Sequence, residues 1–599
     1  MALEKLISPL PGIVVEIKVK AQQLVSKGQP LLVVEAMKME NAINCTADGI
    51  VQQLLVKEGD VISKGQVLML FQRRAGAAEI QIFQKEIDLD HISEDLKALQ
   101  DRTKNLLDES RPAAVAKRRA KGQLTARENI ALLCDEDSFF EYGGFTVAAQ
   151  RSRRTEEDLI KNTPADGLVT GTASINKTLF EGKEQPCLVM AYDYTVLAGT
   201  QGMFNHFKMD RMLTVAAKNK LPIVLFAEGG GGRPGDVDVQ TIAGLHIMTF
   251  FEYAKLEGVV PRISIVSGYC FAGNAALAGT SDIIIATANT SIGMGGPAMV
   301  EGGGLGRFHP QEIGPAEVQS LNGVIDILVA DEPAAILVAK QYLSYFQGNV
   351  LQWEAEDQRL LRQLVPANRK SVFDIRKVIA TVADKGSVLE IGGTYAKDMY
   401  TGLIRVEGRA MGVIANDAQH QAGAITSEGA EKAARLLTLC DQFDIPILSL
   451  VDTPGIMVGP EAEKSGTVKH AAKLFTTGAR LKVPFFAIVL RRGYGLGAMA
   501  MTRGSFHAAD FIVSWPSAEF GAMGLEGAIR LGYSKELAAI TDPEQREAAY
   551  EQMLAQAYER GKPINMAAFL EIDGVIDPAD SRAWLLSGLN NRQNTKKSS

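Results

Sequence analysis

The apolar positions fall in short runs closed by glycine. Pro30 to Val34 and Ala42 to Ile43 flank Glu35-Ala36-Met37-Lys38-Met39-Glu40, a pattern that predicts a tight hairpin with Lys38 at its tip. Residues 1–72 hold a short repeat, about 37 positions apart. Gly12-Ile13-Val14 is answered by Gly49-Ile50-Val51, and Val25-Ser26-Lys27-Gly28 by Ile62-Ser63-Lys64-Gly65. Such self-similarity predicts two like half-sheets related by a pseudo-twofold, with Gly28 and Gly65 in turns that need positive φ. Arg73-Arg74-Ala75-Gly76-Ala77-Ala78 reads as a flexible joint, and Ile80 to Leu107 carries apolar residues at helical spacing, so 73–114 is expected to be linker and helix.

A larger repeat follows, about 224 positions apart. Leu221 to Phe226 runs into Ala227-Glu228-Gly229-Gly230, and Ile445 to Val451 runs into Asp452-Thr453-Pro454-Gly455. Val260 to Val266 is matched by Val483 to Val489. Each is followed by a Gly/Ala turn and a run of small residues, Ala272 to Gly279 and Gly495 to Ala500, and then by an apolar run opened by Asp282 or Asp510. Four matched elements in one order, with apolar strands alternating with helices, predict parallel βαβ units. The class is α/β, with two tandem copies of one domain at 115–340 and 341–599.

Size and charge narrow the classes. With 599 residues the chain exceeds what one core supports. Net charge is −7 with no basic stripe, which argues against a nucleic-acid partner. No apolar run approaches the roughly 18 uncharged residues of a membrane span, and Met1-Ala2-Leu3-Glu4-Lys5 lacks a signal-peptide pattern. The five cysteines are scattered, without spacing that would hold a metal, as expected of free thiols in the cytoplasm.

A lysine at a hairpin tip offers the most exposed amine a domain can present. Two methionines beside it need a reason, because large apolar side chains at such a tip are costly. Ala36-Met37-Lys38-Met39 resembles the attachment site of biotin carboxyl carrier domains. That resemblance implies covalent biotin on Lys38 flanked by Met37 and Met39, a small flattened β-barrel over 1–72, and a biotin protein ligase as partner.

The two large copies in turn resemble the carboxyltransferase domains of acyl-CoA carboxylase β subunits of the propionyl-CoA carboxylase type. The residues that carry this include Leu124-Thr125-Ala126-Arg127-Glu128-Asn129-Ile130, Asp166 to Gly171, Asp193 to Gly199, Val406-Glu407-Gly408-Arg409, Val451 to Gly455 and Trp515 to Glu519. The resemblance implies a crotonase-like fold in each half, a homohexamer, and transfer of a carboxyl group from biotin to the α-carbon of an acyl-CoA. Negative charge then develops on two oxygens, the ureido oxygen and the thioester oxygen. Each needs preorganised donors, which a turn feeding a helix N-terminus supplies. Ala272 with Gly273 and Leu496 with Gly497 align with the family's two oxyanion pairs, Gly495 with Leu496 being the alternative register. No side-chain base is implied, since the biotin anion takes the α-proton, and His246, His420 and His470 are expected to be structural or surface residues. Gly229 to Arg233 lacks the Gly-Lys-Ser/Thr ending of a phosphate loop. By position Gly230, Gly231 and Arg233 are expected near the CoA thioester. Met499 stands where short-chain enzymes place an acidic residue. No stretch remains for ATP-dependent carboxylation of biotin, which implies a separate biotin carboxylase subunit. The alternative is a decarboxylase coupled to a membrane sodium pump.

Overall fold

The computed structural model describes residues 3–74, 88–239 and 241–596. The chain forms two compact units, Met1–Glu94 and Asp95–Ser599.

The first unit is all β. Two four-stranded sheets enclose a core that includes Val14, Val25, Leu31, Leu32, Val34, Val51, Leu68 and Met69. Alternation is incomplete in β1 (Pro30–Ala36), whose Leu31 to Val34 are all buried. The repeat is visible in the backbone: Gly28 and Gly65 turn at φ +84° and +85°. Most of the joint expected at residues 73–78, and the start of the helix expected from Ile80, lie outside the described residues. The helix itself spans Glu94–Lys104 and buries none of its residues, so its charged positions outweigh the apolar spacing. Within the second unit Arg111 pairs with Asp193 at 2.8 Å, both nearly buried.

The second unit is built twice over. In the first copy the antiparallel hairpin β3 (Leu168–Ser174) and β4 (Pro186–Tyr192) leads through α1 (Met203–Asn219) to the parallel strands β5 (Ile223–Phe226), β6 (Arg262–Val266) and β7 (Ile283–Thr287). Helix α2 (Gly273–Thr280) lies between the last two. The second copy repeats this with the hairpin β8 (Met399–Val406) and β9 (Arg409–Asn416), then α3 (Ser427–Gln442), β10 (Ile447–Thr453), β11 (Phe485–Tyr494), α4 (Gly495–Met501) and β12 (Phe511–Ser514). The sheets have seven and eight strands. Each is covered on both faces, which is why its strands read as continuous apolar runs. One apolar core reaches both sheets, joining Val189, Ile263 and Ile283 to Leu403, Ile447 and Phe485.

The copies match down to single buried amines. Lys208 on α1 donates to the carbonyls of Ala165 and Leu168, and Lys432 on α3 donates to those of Ala396 and Met399. Each cation ties its helix to the start of its hairpin, and burial lowers both amines to about 8.

Candidate active site

In the first unit β1 is joined to β2 (Met39–Asn44) by two residues. Met37 at φ +54° and Lys38 at φ +63° form the turn, with Ala36 paired to Met39 and Glu35 to Glu40. Both positive φ values suit the strand twist of a two-residue hairpin, yet neither residue is a glycine. Each left-handed residue costs on the order of 1 kcal/mol or more. Glu35 opposite Glu40 adds like-charge repulsion. Met37 is 99 % exposed and Met39 69 %. The tip spends local stability to present an exposed amine between two thioethers, and Lys38 there fits covalent biotin sterically.

The second unit contains one device twice. A left-handed triplet follows each hairpin: Leu197, Ala198 and Gly199 at φ +48°, +55° and +63°, and Gln421, Ala422 and Gly423 at +49°, +52° and +77°. The triplet crosses close under the next strand. A Cβ on Gly199 would stand 2.6 Å from the Glu228 carbonyl oxygen, and one on Gly423 would stand 2.6 Å from that of Asp452. Two residues on, Gln201 N–H donates to Gly231 O at 2.7 Å and Arg233 N–H to Gln201 O at 2.8 Å. In the other copy Ile425 N–H donates to Gly455 O at 3.0 Å and Met457 N–H to Ile425 O at 2.9 Å. These stitches place the strand-end loops of β5 and β10 against the N-termini of α2 and α4.

The two turns differ by one residue from the alignment. Ala272 opens α2 at φ +52°, ψ −120°, a region that costs a non-glycine residue about 1–3 kcal/mol. Gly495 opens α4 at φ +55°. Ala272 therefore corresponds to Gly495, and Gly273 to Leu496. The Ala272 N–H is engaged by Gly293 O at 3.0 Å. The first intrahelical bond of α2 runs from Ala276 to Ala272, so the amides of Gly273 to Ala275 have no intrahelical acceptor and carry the positive end of the helix dipole. Gly497 has another explanation: a Cβ there would stand 2.6 Å from Gly455 Cα, so the glycine permits close packing of helix on loop. Asn274 fills the equivalent place in the first copy, accepting from Gly231 N–H at 2.9 Å. The geometry thus favours Gly495 with Leu496 over Leu496 with Gly497. Leu496 is 62 % and Met499 37 % exposed, three residues apart on the outer face of α4.

The glycine loop after β5 is braced, not open. Gly229 donates to Tyr269 O, Gly230 to Ala198 O and Gly231 to Asn274. Arg233 is 5 % exposed and paired with Asp166 at 2.5 Å and Asp236 at 2.8 Å. The Gly230 and Gly231 amides and the Nε and Nη2 of Arg233, all expected near CoA, are engaged inside the protein, while Arg233 Nη1 is buried without a partner.

Sequence reasoning passed over the acids that end the two strands. Glu228 is held by Arg118 at 2.6 Å, but Arg118 also reaches Glu332 at 3.4 Å. Burial, with one guanidinium shared between two carboxylates, pushes Glu228 up to about 7. Asp452 is buried too, yet Arg492 and Arg491 at 2.7 and 2.8 Å hold its carboxyl below the usual range. Both acids stood in the repeated motifs, and the 224-residue repeat was the signal that could have paired them. The histidine that approaches this region, His206, faces Thr249 Oγ1 at 3.0 Å, and burial lowers it to about 4, so it is neutral at working pH. His246 is exposed, His420 half-buried, and His470 bonds Glu431 at 2.8 Å.

Glu228 makes stability fall as pH rises. Its folded pKa lies above the ordinary carboxylate value, so between about 4.5 and 7 the native state keeps a proton that the unfolded chain has lost. Denaturant unfolding of Glu228→Gln across that range should therefore show a flatter pH slope, by up to about 1.4 kcal/mol per unit. An unchanged slope would remove Glu228 as the source.

A chain with a carrier hairpin followed by two matched strand–turn–helix sites defines a carrier-linked acyl-group enzyme, and the comparisons with known proteins say which. Residues 117–598 match the carboxyl transferase domain family and residues 4–71 the biotin-requiring enzyme family. The chain belongs to the carboxyl transferase family: it is a biotin-dependent carboxyltransferase fused to a covalently biotinylated carrier domain. It is 32 % identical over 479 residues to a putative propionyl-CoA carboxylase beta chain of Bacillus subtilis (strain 168), covering 79 % of this chain and 91 % of that one. It resembles the structure of a single-chain, multi-domain long-chain acyl-CoA carboxylase with TM-score 0.80 and 49 % identity, covering 98 % of this chain. The chain spans 56 % of that larger protein. Transcarboxylase 12S, a hexamer solved with methylmalonyl-coenzyme A, matches with TM-score 0.73 and 30 % identity, covering 84 % of this chain and 96 % of that one. Among the described residues no helix is long and apolar enough to cross a membrane, and the five cysteines are buried free thiols.

Proposed function

We propose that the chain is the carrier and carboxyltransferase part of an acyl-CoA carboxylase acting on acyl groups longer than propionyl. Lys38 carries biotin, which supplies a ureido nitrogen able to hold the carboxyl group. The observation that carries the reading is the pair of turns, each a left-handed residue opening a helix behind a braced strand-end loop. The amides at Gly273 and at Gly495-Leu496 face the two oxygens on which charge develops, one turn to each oxygen. The apolar pair Leu496 and Met499 at the mouth of α4 favours an alkyl chain, as does the likeness to a long-chain enzyme. A biotin carboxylase and a biotin protein ligase act on the same carrier, in the cytoplasm. The assembly is a homohexamer, as in the transcarboxylase relative. Exposed Leu245, Phe251, Val468 and Leu531 are the kind of surface a closed oligomer covers.

The test is carboxyl exchange from 2-alkylmalonyl-CoA to free biotin, with alkyl chains from methyl to tetradecyl. Exchange should occur without ATP, and the long chains should exceed the methyl compound by about tenfold or more in kcat/KM, since each buried CH₂ contributes about 0.8 kcal/mol. No exchange with any chain would end the proposal, and a preference for methyl would end its substrate class.

A further inference from the structure

The copies agree closely in backbone at residues 201 and 425 and disagree in side chain. Gln201 and Ile425 each receive the same pair of main-chain bonds from the strand-end loop, yet one is a carboxamide and the other a branched alkyl group. Gln201 is 3 % exposed. Its Nε2 donates to the Tyr192 hydroxyl at 2.8 Å, which fixes the amide plane and leaves Oε1 on the side of Gly273. That oxygen occupies the space a Cβ on Gly273 would need, and Phe250 lies 3.2 Å from that point. Tyr192 is itself fixed at the end of β4 and is buried. The equivalent of Tyr192 in the second copy is Asn416, whose Oδ1 takes the Asp452 N–H at 3.2 Å, so the second copy has no such prop. A buried carboxamide without a task is costly, and an apolar residue serves the same backbone position 224 residues on.

We infer that Gln201 is a positioning residue for the first turn: its carboxamide, aimed by Tyr192, sets where the Gly273 amide points. The inference rests on the carboxyltransferase reading. Ala272 is held in a strained conformation just before Gly273, so the turn needs support beyond its own backbone preference. Gln201 supplies that support from two directions. Its main chain anchors the glycine loop and its side chain fills the space beside Gly273. The second turn opens on a glycine, Gly495, which adopts positive φ without strain and works with Ile425 behind it.

Gln201→Met keeps the length and removes the amide, and Tyr192→Phe keeps the amide and removes what aims it. In the exchange assay with the wild-type chain's preferred alkylmalonyl-CoA, each should lower kcat by about tenfold to a hundredfold, the scale of a misplacement near 1 Å, with both KM values within threefold. The double variant should be no worse than the poorer single one, because both act through one contact. Amide hydrogen exchange of the Tyr269–Thr280 peptide should be faster in both variants, a readout that does not depend on turnover. The inference is overturned if well-folded Gln201→Met exchanges within twofold of wild type, if KM changes and kcat does not, or if the peptide's exchange is unaltered. A wild-type chain that fails to exchange while the peptide responds as expected would count against the carboxyltransferase reading alone.

Discussion

A Lys38→Ala chain should give no streptavidin signal and no ATP-dependent carboxylation with a biotin carboxylase present, while exchanging carboxyl with free biotin at the wild-type rate. Among the described residues only Lys38 has the required setting. It sits at a two-residue turn with both residues at positive φ and exposed methionines on either side. Of the carrier's other lysines, Lys27 and Lys64 stand before Gly28 and Gly65, in turns that glycine makes without strain, and Lys5, Lys18, Lys20 and Lys57 are not at positive φ. Losing the tether removes a local biotin concentration in the millimolar range for a short linker. Free biotin added at such concentrations should therefore restore part of the overall reaction. Intact mass locates the modification and the blot reads its presence. A persisting blot signal would place biotin elsewhere. Lost exchange with free biotin would mean that the substitution acts on the fold of the second unit.

The fold was legible in the sequence where burial is two-sided. Ile223–Phe226, Arg262–Val266, Ile447–Thr453 and Phe485–Tyr494 are buried almost end to end, so they announce themselves as apolar runs. The antiparallel hairpins that open each copy were not legible as strands. In Leu168–Ser174 glycine and threonine interrupt the apolar run although all but one of its residues are buried, and burial comes from neighbours distant in sequence. Val406-Glu407-Gly408-Arg409 does contain a hairpin signal, with Glu407 and Gly408 at φ +49° and +72°, but its meaning depends on Met399–Val406 being a strand.

The site was legible in position and less so in register. The repeat places a small-residue turn after each of two matched strands, and the structure finds a left-handed residue opening a helix at both. It could not tell a glycine that frees an amide from one that lets backbones touch. Gly497 is the second kind, pressed on Gly455. Arg233 shows the same limit for charge: position alone sets it near the CoA thioester and gives no sign of Asp166 and Asp236 held against it. Burial and partner identity come from tertiary contacts, and residue type alone carries neither.

Leu496→Pro should lower the exchange rate by about 10²–10³, the usual cost of one oxyanion donor, while Leu496→Ala keeps it within about threefold for the shortest substrate that exchanges. The pair separates backbone from side chain at one position. Proline deletes the N–H and puts its ring where the ligand oxygen must come. Alanine keeps the N–H and only shortens an exposed side chain. Leu496 is the second residue of α4, where a helix accepts proline because that amide has no intrahelical acceptor. The preceding residue, Gly495, has no Cβ to clash with the proline ring. The amide belongs to the turn in either register, Gly495 with Leu496 or Leu496 with Gly497, so the test does not hang on that choice. Substituting Gly497 would be less clean, since a Cβ would meet the Gly455 backbone at 2.6 Å and disturb the loop as well. Thermal unfolding should be nearly the same in the proline and alanine variants. A folded Leu496→Pro chain that exchanges within threefold of wild type would show that the second turn does not bind the developing charge. If alanine lowers the rate as far as proline, the effect lies in the leucine side chain and its contact with the acyl group.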